Sequence, residues 1–485
     1  MIDRIANLSR RDLLKLFGVT VGATMAGSAG WPLKVQAQSK KVTPRKNVRN
    51  VLVIQNCGAM SPQECLDFKD TRYTAKDLDI QKINSDFSIS KTIFPNYEKW
   101  APRASLVRST YENALVHFSA QYHTQAGRAL NAAILREIPA LGSIVAMELD
   151  SERQASDTFP TFMSFDLWNA RCPQIGSGML PAKFAGLDLN TANVFSSFGA
   201  DEGDGTTNSV LEKRWEGMGR LAEVSPVGKD PIGGKADEYP AHYEYAFKIL
   251  MDSRFKKVLS LSEQDKVRYG VPKDKGAAKL GLAMLLARNV LAADAGARML
   301  WVCNSYNGGN GSFDNHVGLY GRGANAPKAA QLSIYESGPR LDAALGSLVE
   351  DLSKTPGKTP GKTLLDETMI VLVHEFGRTP DMNPAGGRDH WGKGFTNLFL
   401  GGGVKPGRVI GKTDESGSKV VDMGWKYKEQ PMMDHVTSTI YSSLGIDYSK
   451  KIANTPSGRA YEYQQTAPLG GPAFIPQSEI AELFE

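Results

Sequence analysis

Four short apolar runs along the chain are typical of β-strands that are buried on both faces. They lie at residues 50–56, 298–303, 368–373 and 397–400. Each run is continuous rather than alternating, which is typical of strands in a parallel sheet that is covered on both sides. Each run also ends in a polar or glycine-rich loop, so the pattern predicts strands that open into loops at their carboxyl ends.

Helical patterns lie between these strands. Residues 277–293 carry an apolar stripe, residues 245–251 predict a shorter helix, and leucines recur at helical spacing from Leu341 to Leu352. The alternation of strands and helices predicts an α/β fold, with a mostly parallel central sheet and helices on both of its faces. The pattern weakens between about residues 150 and 270, which we interpret as an irregular inserted elaboration of the sheet.

The first 37 residues are typical of an export signal. The pair Arg10-Arg11 precedes an apolar, glycine-rich stretch, and a small-residue cleavage site ends at Ala37. We therefore expect a twin-arginine signal peptide at 1–37, which the twin-arginine translocase recognises, and a single mature domain at 38–485. The mature protein should be periplasmic or secreted. No later run of 18 apolar residues occurs, so the sequence predicts no membrane span in the mature chain.

Composition and charge narrow the possible classes further. A hydrophobic content of 41% over 485 residues is sufficient for a large core, so the chain is not expected to be disordered. The formal charge of +5 falls to about +2 without the first 37 residues, and the basic residues are scattered, so we expect no nucleic-acid partner. The four cysteines lack the spacing of a zinc site and leave their disulfide pairing open.

Titratable side chains follow two of the predicted strands. Asp314 and His316 lie in a glycine-rich loop after residues 298–303, and on an extended segment their one-residue separation makes them point the same way. His374 and Glu375 directly follow residues 368–373. Because adjacent side chains diverge on an extended segment, we expect at most one of these two to face a site.

Further charged residues continue this second loop. Arg378 follows on a sharp turn, and Asp389 and His390 lie on a glycine-led segment. Ligands of parallel sheets lie at the carboxyl ends of the strands, so these loops are expected to meet. Mixed imidazole and carboxylate ligands suit a divalent ion: zinc, manganese, iron or calcium. The predicted ligands are Asp314, His316, Glu375, Asp389 and His390. A metal-free polar network is the alternative.

The stretch VLVHEFGRTPDMNPAGGRDHW, residues 371–391, resembles the signature of a large bacterial family that twin-arginine signals export, the domain of unknown function DUF1501. Residues 56–61, the Asp-Asn-His at 314–316 and the predicted helix at 434–447 resemble other elements of that family. The family is similar in fold to sulfatases and alkaline phosphatases. The resemblance therefore implies an alkaline phosphatase-like α/β domain.

The resemblance also implies a function and roles for particular residues. The chain would hydrolyse phosphate or sulfate esters, either of a small molecule or of a polymer, with the help of divalent metal ions. Ser61 would lie near the nucleophile, and Arg378 or Arg388 would hold the oxyanion, since a guanidinium can donate two hydrogen bonds to a tetrahedral anion. His123 would serve as an acid or as an outer hydrogen-bonding group.

Departures from the family pattern leave a second function open. Glu64 stands where the family has an aspartate, and no Cys-x-Pro-x-Arg element surrounds a cysteine, which argues against a formylglycine-dependent sulfatase. The alternative is an exported binding or assembly protein on a degenerate hydrolase fold. We expect His117 to be structural and Asp434 to cap the last helix.

Overall fold

A computed structural model describes residues 34–37, 42–168, 173–197, 239–271, 279–305, 312–322, 332–467 and 474–485, with scattered positions between 213 and 220. The strands are numbered in chain order: Val35–Ala37 (β1), Asn50–Asn56 (β2), Ile80–Lys82 (β3), Ser88–Ser90 (β4), Ser105–Thr110 (β5), Phe162–Phe165 (β6), Leu187–Leu189 (β7), Met299–Asn304 (β8), Thr368–His374 (β9), Gly377–Arg378 (β10), His390–Trp391 (β11), Phe395–Gly401 (β12), Val409–Ile410 (β13), Lys412–Thr413 (β14), Val420–Asp422 (β15), Lys450–Ile452 (β16) and Tyr461–Glu462 (β17).

The α-helices of the described residues are numbered in the same way. They are His117–Ala126 (α1), Leu141–Glu148 (α2), Val194–Ser197 (α3), Tyr239–Met251 (α4), Ser253–Leu259 (α5), Glu263–Arg268 (α6), Leu280–Ala293 (α7), Ile334–Lys354 (α8) and Met433–Ser443 (α9). Within the described residues, every helix is too short or too polar to cross a membrane.

The central sheet contains eight strands in the order β13-β5-β12-β9-β2-β8-β6-β7. Only β12 runs against the others, because it pairs antiparallel with both β5 and β9 while every other pairing in the sheet is parallel. The predicted mostly parallel α/β sheet is therefore confirmed. The four strands that the sequence predicted are β2, β8, β9 and β12, with ends shifted by a few residues.

Helices cover both faces of the sheet, as predicted. Alternate residues of β2 divide between two cores: Leu52 and Ile54 pack with α7 and α8, whereas Val51 and Val53 pack with α2 and α9. This division follows from the two-residue period of a strand. Each fully buried aliphatic side chain stabilises the fold by about 1.5–3 kcal/mol. The continuous apolar pattern of β2 is thus explained by burial on both sides.

Two sheet strands fall inside the region that the sequence left irregular. β6 pairs with β8, and β7 extends the sheet at its edge, so part of residues 150–270 belongs to the central sheet. At the other end of the chain, β1 pairs antiparallel with β16. Most of the expected signal peptide, residues 1–33, lies outside the described residues. Cys172 does as well. The Sγ atom of Cys57, directly after β2, lies 3.3 Å from that of Cys303 on the neighbouring β8.

Candidate metal centre

Loops from several strands meet at one edge of the central sheet. The carboxyl ends of β2, β5, β8 and β9 point to this edge because these strands share one direction, and β12 begins there because it runs the opposite way. The loops after β5, β8 and β9 bring His117, Asp314 with His316, and His390 to the same edge. The position that the sequence predicted for a site, past the carboxyl ends of the strands, is where these side chains converge.

Four side chains each bring one donor atom close to the other three. The donors come from His117, Asp314, His316 and His390, and they all lie within 4.8 Å of one another. Asp314 Oδ1 lies 3.2 Å from His117 Nε2 and 3.2 Å from His316 Nε2. The Nε2 atoms of His316 and His390 are 2.8 Å apart. Three of the five predicted ligands are therefore brought together.

His117 is the member of this cluster that the sequence reading missed. It opens α1, seven residues after the last residue of β5. β5 escaped notice because its sequence, SLVRST, mixes polar residues with only two aliphatic ones, although all six are buried. Recognition of β5 as a strand would have placed His117 in a loop at the same edge as Asp314.

Hydrogen bonds fix the orientation of all three imidazoles. His390 Nδ1 lies 2.7 Å from the Leu115 carbonyl oxygen, which can only accept, so Nδ1 carries the proton. Arg378 Nη1 lies 3.3 Å from His316 Nε2, and a guanidinium can only donate. His316 Nε2 therefore accepts.

The same reasoning assigns the remaining ring nitrogens. His316 Nδ1 donates to Asp389 Oδ1 at 3.0 Å. His117 Nδ1 donates at 2.6 Å to Glu375 Oε1, an oxygen that also accepts from the Gly58 N–H. All three rings thus turn Nε2 toward one point, the arrangement that metal-ligating histidines show when their other nitrogen is held by an acceptor. His316 and His390 present a lone pair there, whereas His117 Nε2 faces the carboxylate of Asp314 and would release a proton when a metal binds.

This arrangement fits a cation. Two imidazole lone pairs 2.8 Å apart repel each other unless a positive charge lies between them, and Asp314 adds a carboxylate to the same point. One proton could bridge one pair of atoms, but four converging donors match the ligand number of a tetrahedral site. Imidazole and carboxylate ligands suit zinc, manganese or iron, whereas calcium prefers oxygen ligands alone. The donor set is sufficient for one ion.

The titratable groups of the cluster perturb one another. Burial would raise the pKa of Asp314, but the neighbouring His117 and Arg378 hold it well below the usual value. Burial would lower the pKa of His117, yet hydrogen bonds to Asp314 and Glu375 raise it to about 9. Burial lowers the pKa of His390 to about 4. Asp314 therefore stays ionised, as a metal ligand must be, and Arg378 and His117 offset its charge.

Glu375 and Asp389 touch the imidazole rings from behind. Glu375 is fully buried; burial raises its pKa, and the hydrogen bonds from His117 and Gly58 oppose that shift. The Asp389 side chain is 58% exposed, and its Oδ1 also accepts from Asn383 Nδ2. The two predicted ligands Glu375 and Asp389 therefore contact the Nδ1 atoms on the far side of the rings, and the group of four converging donors does not include them.

Arg378 lies beneath the cluster and is completely buried. Its Nε and Nη2 donate to the carbonyl groups of the turn after β2, at Gly58 and Ala59, and Nη2 also contacts Asp314 Oδ1 at 2.6 Å. Its Nη1 donates to the Arg388 carbonyl and to His316. All five guanidinium N–H groups therefore have protein acceptors, and the side chain holds Asp314 in place.

The turn after β2 requires a backbone that favours glycine. Gly58 has φ 92°, and Ala59 follows at φ 62°, a left-handed conformation that is strained for a residue with a Cβ. This turn directs two carbonyl groups at Arg378 and one N–H at Glu375. A second close approach occurs at Gly387, where a Cβ would lie 2.2 Å from the His316 carbonyl carbon.

Ser61 lies in a buried polar network beside the cluster. Its hydroxyl donates to Glu64 and lies 3.0 Å from Gln63 Oε1, while Gln63 Nε2 donates to the Arg378 carbonyl. Glu64 also pairs with Arg388 Nη2 at 2.5 Å. Arg388 is buried as well, with its Nη1 on the backbone carbonyls of residues 379 and 380. Ser61 is 1% exposed, so its hydroxyl is not open to solvent.

His123 lies deeper, on the same helix as His117. Its Nδ1 makes an ion-pair contact with Glu112 Oε2 at 2.6 Å, and its Nε2 lies 2.9 Å from Asp434 Oδ2. Burial alone would lower the pKa of His123, but the charges of Glu112 and Asp434 raise it to about 10. The expectation that Asp434 caps the last helix is wrong, because Met432 is the N-cap and Asp434 pairs with His123 instead.

Comparison with known proteins identifies one family. The family model described as "Protein of unknown function (DUF1501)" matches residues 48–468. No curated protein matches the chain.

Three crystal structures show a distant likeness to the chain. The lipoteichoic acid synthase LtaP from Listeria monocytogenes is 10% identical, with 94% of this chain and 80% of that chain covered and a TM-score of 0.37. The PsFucS1 sulfatase from Pseudoalteromonas sp. is 11% identical, with 83% of this chain and 68% of that chain covered and a TM-score of 0.37. The C-terminal periplasmic domain of EcEptC from Escherichia coli, in complex with Zn, is 9% identical, with 92% of this chain and 91% of that chain covered and a TM-score of 0.35.

Proposed function

The chain belongs to the DUF1501 family, and from this premise we propose that it is an exported, metal-dependent hydrolase of phosphate or sulfate esters. The proposal depends on one observation above all. The donor atoms of His117, Asp314, His316 and His390 converge at the carboxyl edge of the sheet, and each imidazole is held by an acceptor on its other nitrogen. Such preorganisation favours a bound divalent ion over a purely structural polar network.

The chemistry of the site fits a tetrahedral anionic ester. A divalent ion, when bound, supplies Lewis acidity toward such an ester. The protein's own residues hold and orient: Asp314 and the three imidazoles provide the ligands, Arg378 keeps Asp314 in position, and Glu375 and Asp389 keep two of the rings in the tautomer that offers Nε2. Asp314 and Arg378 lie 2.6 Å apart, so each offsets the other's charge when no ester is bound.

Ser61 is the candidate nucleophile, and Glu64 is placed to accept its proton. Because Ser61 is almost fully buried, attack on an ester requires the loop after β2 to open toward the cluster. His123 is separated from solvent and paired with two carboxylates, so we now propose that it positions α1 rather than transferring a proton. Arg378 likewise acts as a positioning group in this proposal.

Metal content and ester hydrolysis test the proposal together. Protein folded in a host that recognises twin-arginine signals should contain about one zinc, manganese or iron ion per chain by mass spectrometry. It should also hydrolyse aryl phosphate, aryl phosphodiester or aryl sulfate. His316→Ala and His390→Ala should lose the metal and the activity in parallel. Asp381→Ala is the matched control, because Asp381 is 78% exposed and lies on the same loop as His390.

The alternative is an exported protein that binds through a metal centre without turnover. The burial of Ser61 and the complete hydrogen bonding of Arg378 favour it. Metal-dependent binding of inorganic phosphate or sulfate, with no hydrolysis of any aryl ester, would support this alternative. A protein that holds no metal after folding in such a host would contradict the hydrolase and binding through a metal centre, and tight binding of a polymer by that metal-free protein would support a binding or assembly protein on a degenerate hydrolase fold.

A further inference from the structure

Exposed apolar side chains are concentrated around the candidate metal centre. Of the eight large apolar side chains that the structure describes as exposed, four flank the ligand residues. These four form what we term the apolar rim: Leu115 (43% exposed), Val116 (64%), Phe118 (46%) and Val317 (48%). Single exposed apolar residues are normal on a protein surface, whereas a concentration of them beside a polar site marks a place where ligands bind.

The rim is continuous with the cluster through the backbone. Val116 and Phe118 are the chain neighbours of His117, and Val317 directly follows His316. The Leu115 carbonyl oxygen accepts the hydrogen bond from His390 Nδ1. Three of the four donor residues are thus linked to an exposed apolar residue: His117 and His316 as its neighbour in the chain, and His390 through a hydrogen bond to its carbonyl group.

The rim segment is held in place, so its side chains stay at the surface. Ala114 packs against the small core of Ala59, Ala120 and Phe376, and its N–H donates to Glu112 Oε1 at 2.8 Å. Val116 is the N-cap of α1, with φ −121° and ψ 127°. With both ends anchored, the segment presents apolar surface to solvent, which hydration makes unfavourable by roughly 25 cal/mol for each Å².

We propose that the apolar rim binds the apolar part of the substrate, so that the site takes an amphiphilic anionic ester. This inference rests on the proposed function, since the cluster would bind the anionic head while the rim covers the hydrocarbon next to it. The rim residues adjoin the ligands in the chain or through one hydrogen bond, so the hydrocarbon of an ester held at the cluster would pass close to them. A small polar anion would leave the rim exposed.

Binding of alkylphosphonates tests the inference without any need for turnover. Methyl-, propyl- and butylphosphonate would be titrated into the zinc-loaded protein by calorimetry. We expect the affinity of wild type to rise about twofold for each added methylene, because a surface that covers one side of the chain recovers about half of the full transfer free energy. Butylphosphonate should therefore bind about eightfold more tightly than methylphosphonate.

Two variants locate the effect. In the doubly substituted protein, Val116→Ser with Phe118→Ser, the ratio of butyl- to methylphosphonate affinity should fall toward one. Val267→Ser is the matched control, since Val267 is 74% exposed on α6, which packs on α7 and α8 away from the loops of the site. This control should keep the eightfold ratio.

The outcomes separate this inference from the proposed function. If methylphosphonate binds only with zinc but chain length has no effect, the apolar rim does not bind substrate and the anion site stands. If no phosphonate binds with zinc, the proposed function fails and this inference fails with it. A chain-length effect that survives in the doubly substituted protein also overturns the inference. So does binding of phosphatidylcholine vesicles through Val116 and Phe118 without a chain-length effect, because the rim would then be a membrane contact.

Discussion

Replacement of Glu375 by glutamine is the sharpest test of the candidate metal centre. The glutamine keeps the size of the side chain and an oxygen that can accept, but it removes the negative charge behind His117. Glu375 Oε1 accepts from His117 Nδ1 at 2.6 Å and from the Gly58 N–H at 2.8 Å, and the side chain is fully buried. No solvent is therefore present to replace the lost charge.

The expected loss follows from the two hydrogen bonds. A hydrogen bond to a charged group contributes about 1.5–3 kcal/mol, against about 0.5–1.5 kcal/mol for a neutral one. The loss of charge thus weakens the hydrogen bond between residue 375 and His117 by about 1–1.5 kcal/mol. If this difference is lost from metal binding, it corresponds to roughly a tenfold loss of metal affinity. This value lies at the lower end of the 10- to 100-fold losses that are typical when the partner of a metal-ligating histidine is replaced.

Zinc affinity would be measured by competition with a chromogenic chelator. Glu367→Gln is the matched control, because Glu367 is also a buried glutamate that accepts backbone N–H groups, and it lies at the opposite end of β9. We expect Glu375→Gln to bind zinc about tenfold more weakly and Glu367→Gln to match wild type. Equal affinities in all three proteins would refute the role of Glu375, and an equal loss in both variants would show that general destabilisation is the cause.

Three further substitutions test other contacts of the site. Asp389→Asn should weaken zinc binding less than about threefold, because Asp389 is exposed and water can replace its charge; a loss as large as that of Glu375→Gln in the same chelator titration would contradict this. Gly387→Ala should abolish zinc binding, since its Cβ would lie 2.2 Å from the His316 backbone, whereas Gly176→Ala, with no atom within 4 Å, should bind as wild type does. In wild type, the stabilisation from charged His123 should be complete below about pH 6.5 and lost as pH rises to about 10; urea titrations should show this decline, and an unchanged decline in His123→Gln would assign it to other groups.

The sequence predicted those strands of the sheet whose side chains are buried on both faces. β2, β8 and β9 are buried on both faces, so their sequences are continuously apolar and easy to recognise. The sequence analysis missed β5 and β7 for two different reasons. β5 is buried but carries polar side chains that bond to loops, such as Ser109 to the Met423 carbonyl, and β7 is only three residues long.

The site was predictable in position but not in detail. Asp314, His316 and His390 were identified because each lies in a glycine-rich loop past a recognisable strand. The sequence could not separate donors that reach the common point from carboxylates that hold the rings, because the distinction between Asp314 and Glu375 depends on which way a loop turns. The left-handed turn at Gly58 and Ala59 contacts both groups, since the Gly58 N–H donates to Glu375 and the Gly58 carbonyl accepts from Arg378, which pairs with Asp314. These contacts join residues more than 300 positions apart in the chain.

The segment that follows β5 contacts both the buried ion pair of His123 and the candidate metal centre. Glu112 contacts His123 through one carboxylate oxygen and accepts the Ala114 N–H through the other. Three residues later the Leu115 carbonyl orients His390, and His117 supplies a donor of its own. Two of the four donors are therefore positioned by five residues that the buried ion pair anchors. We therefore expect His123→Gln to bind zinc more weakly than wild type under conditions where both proteins are folded, because the segment that orients His117 and His390 would lose its anchor. Equal zinc affinities would show that the His123 ion pair does not position these two ligands.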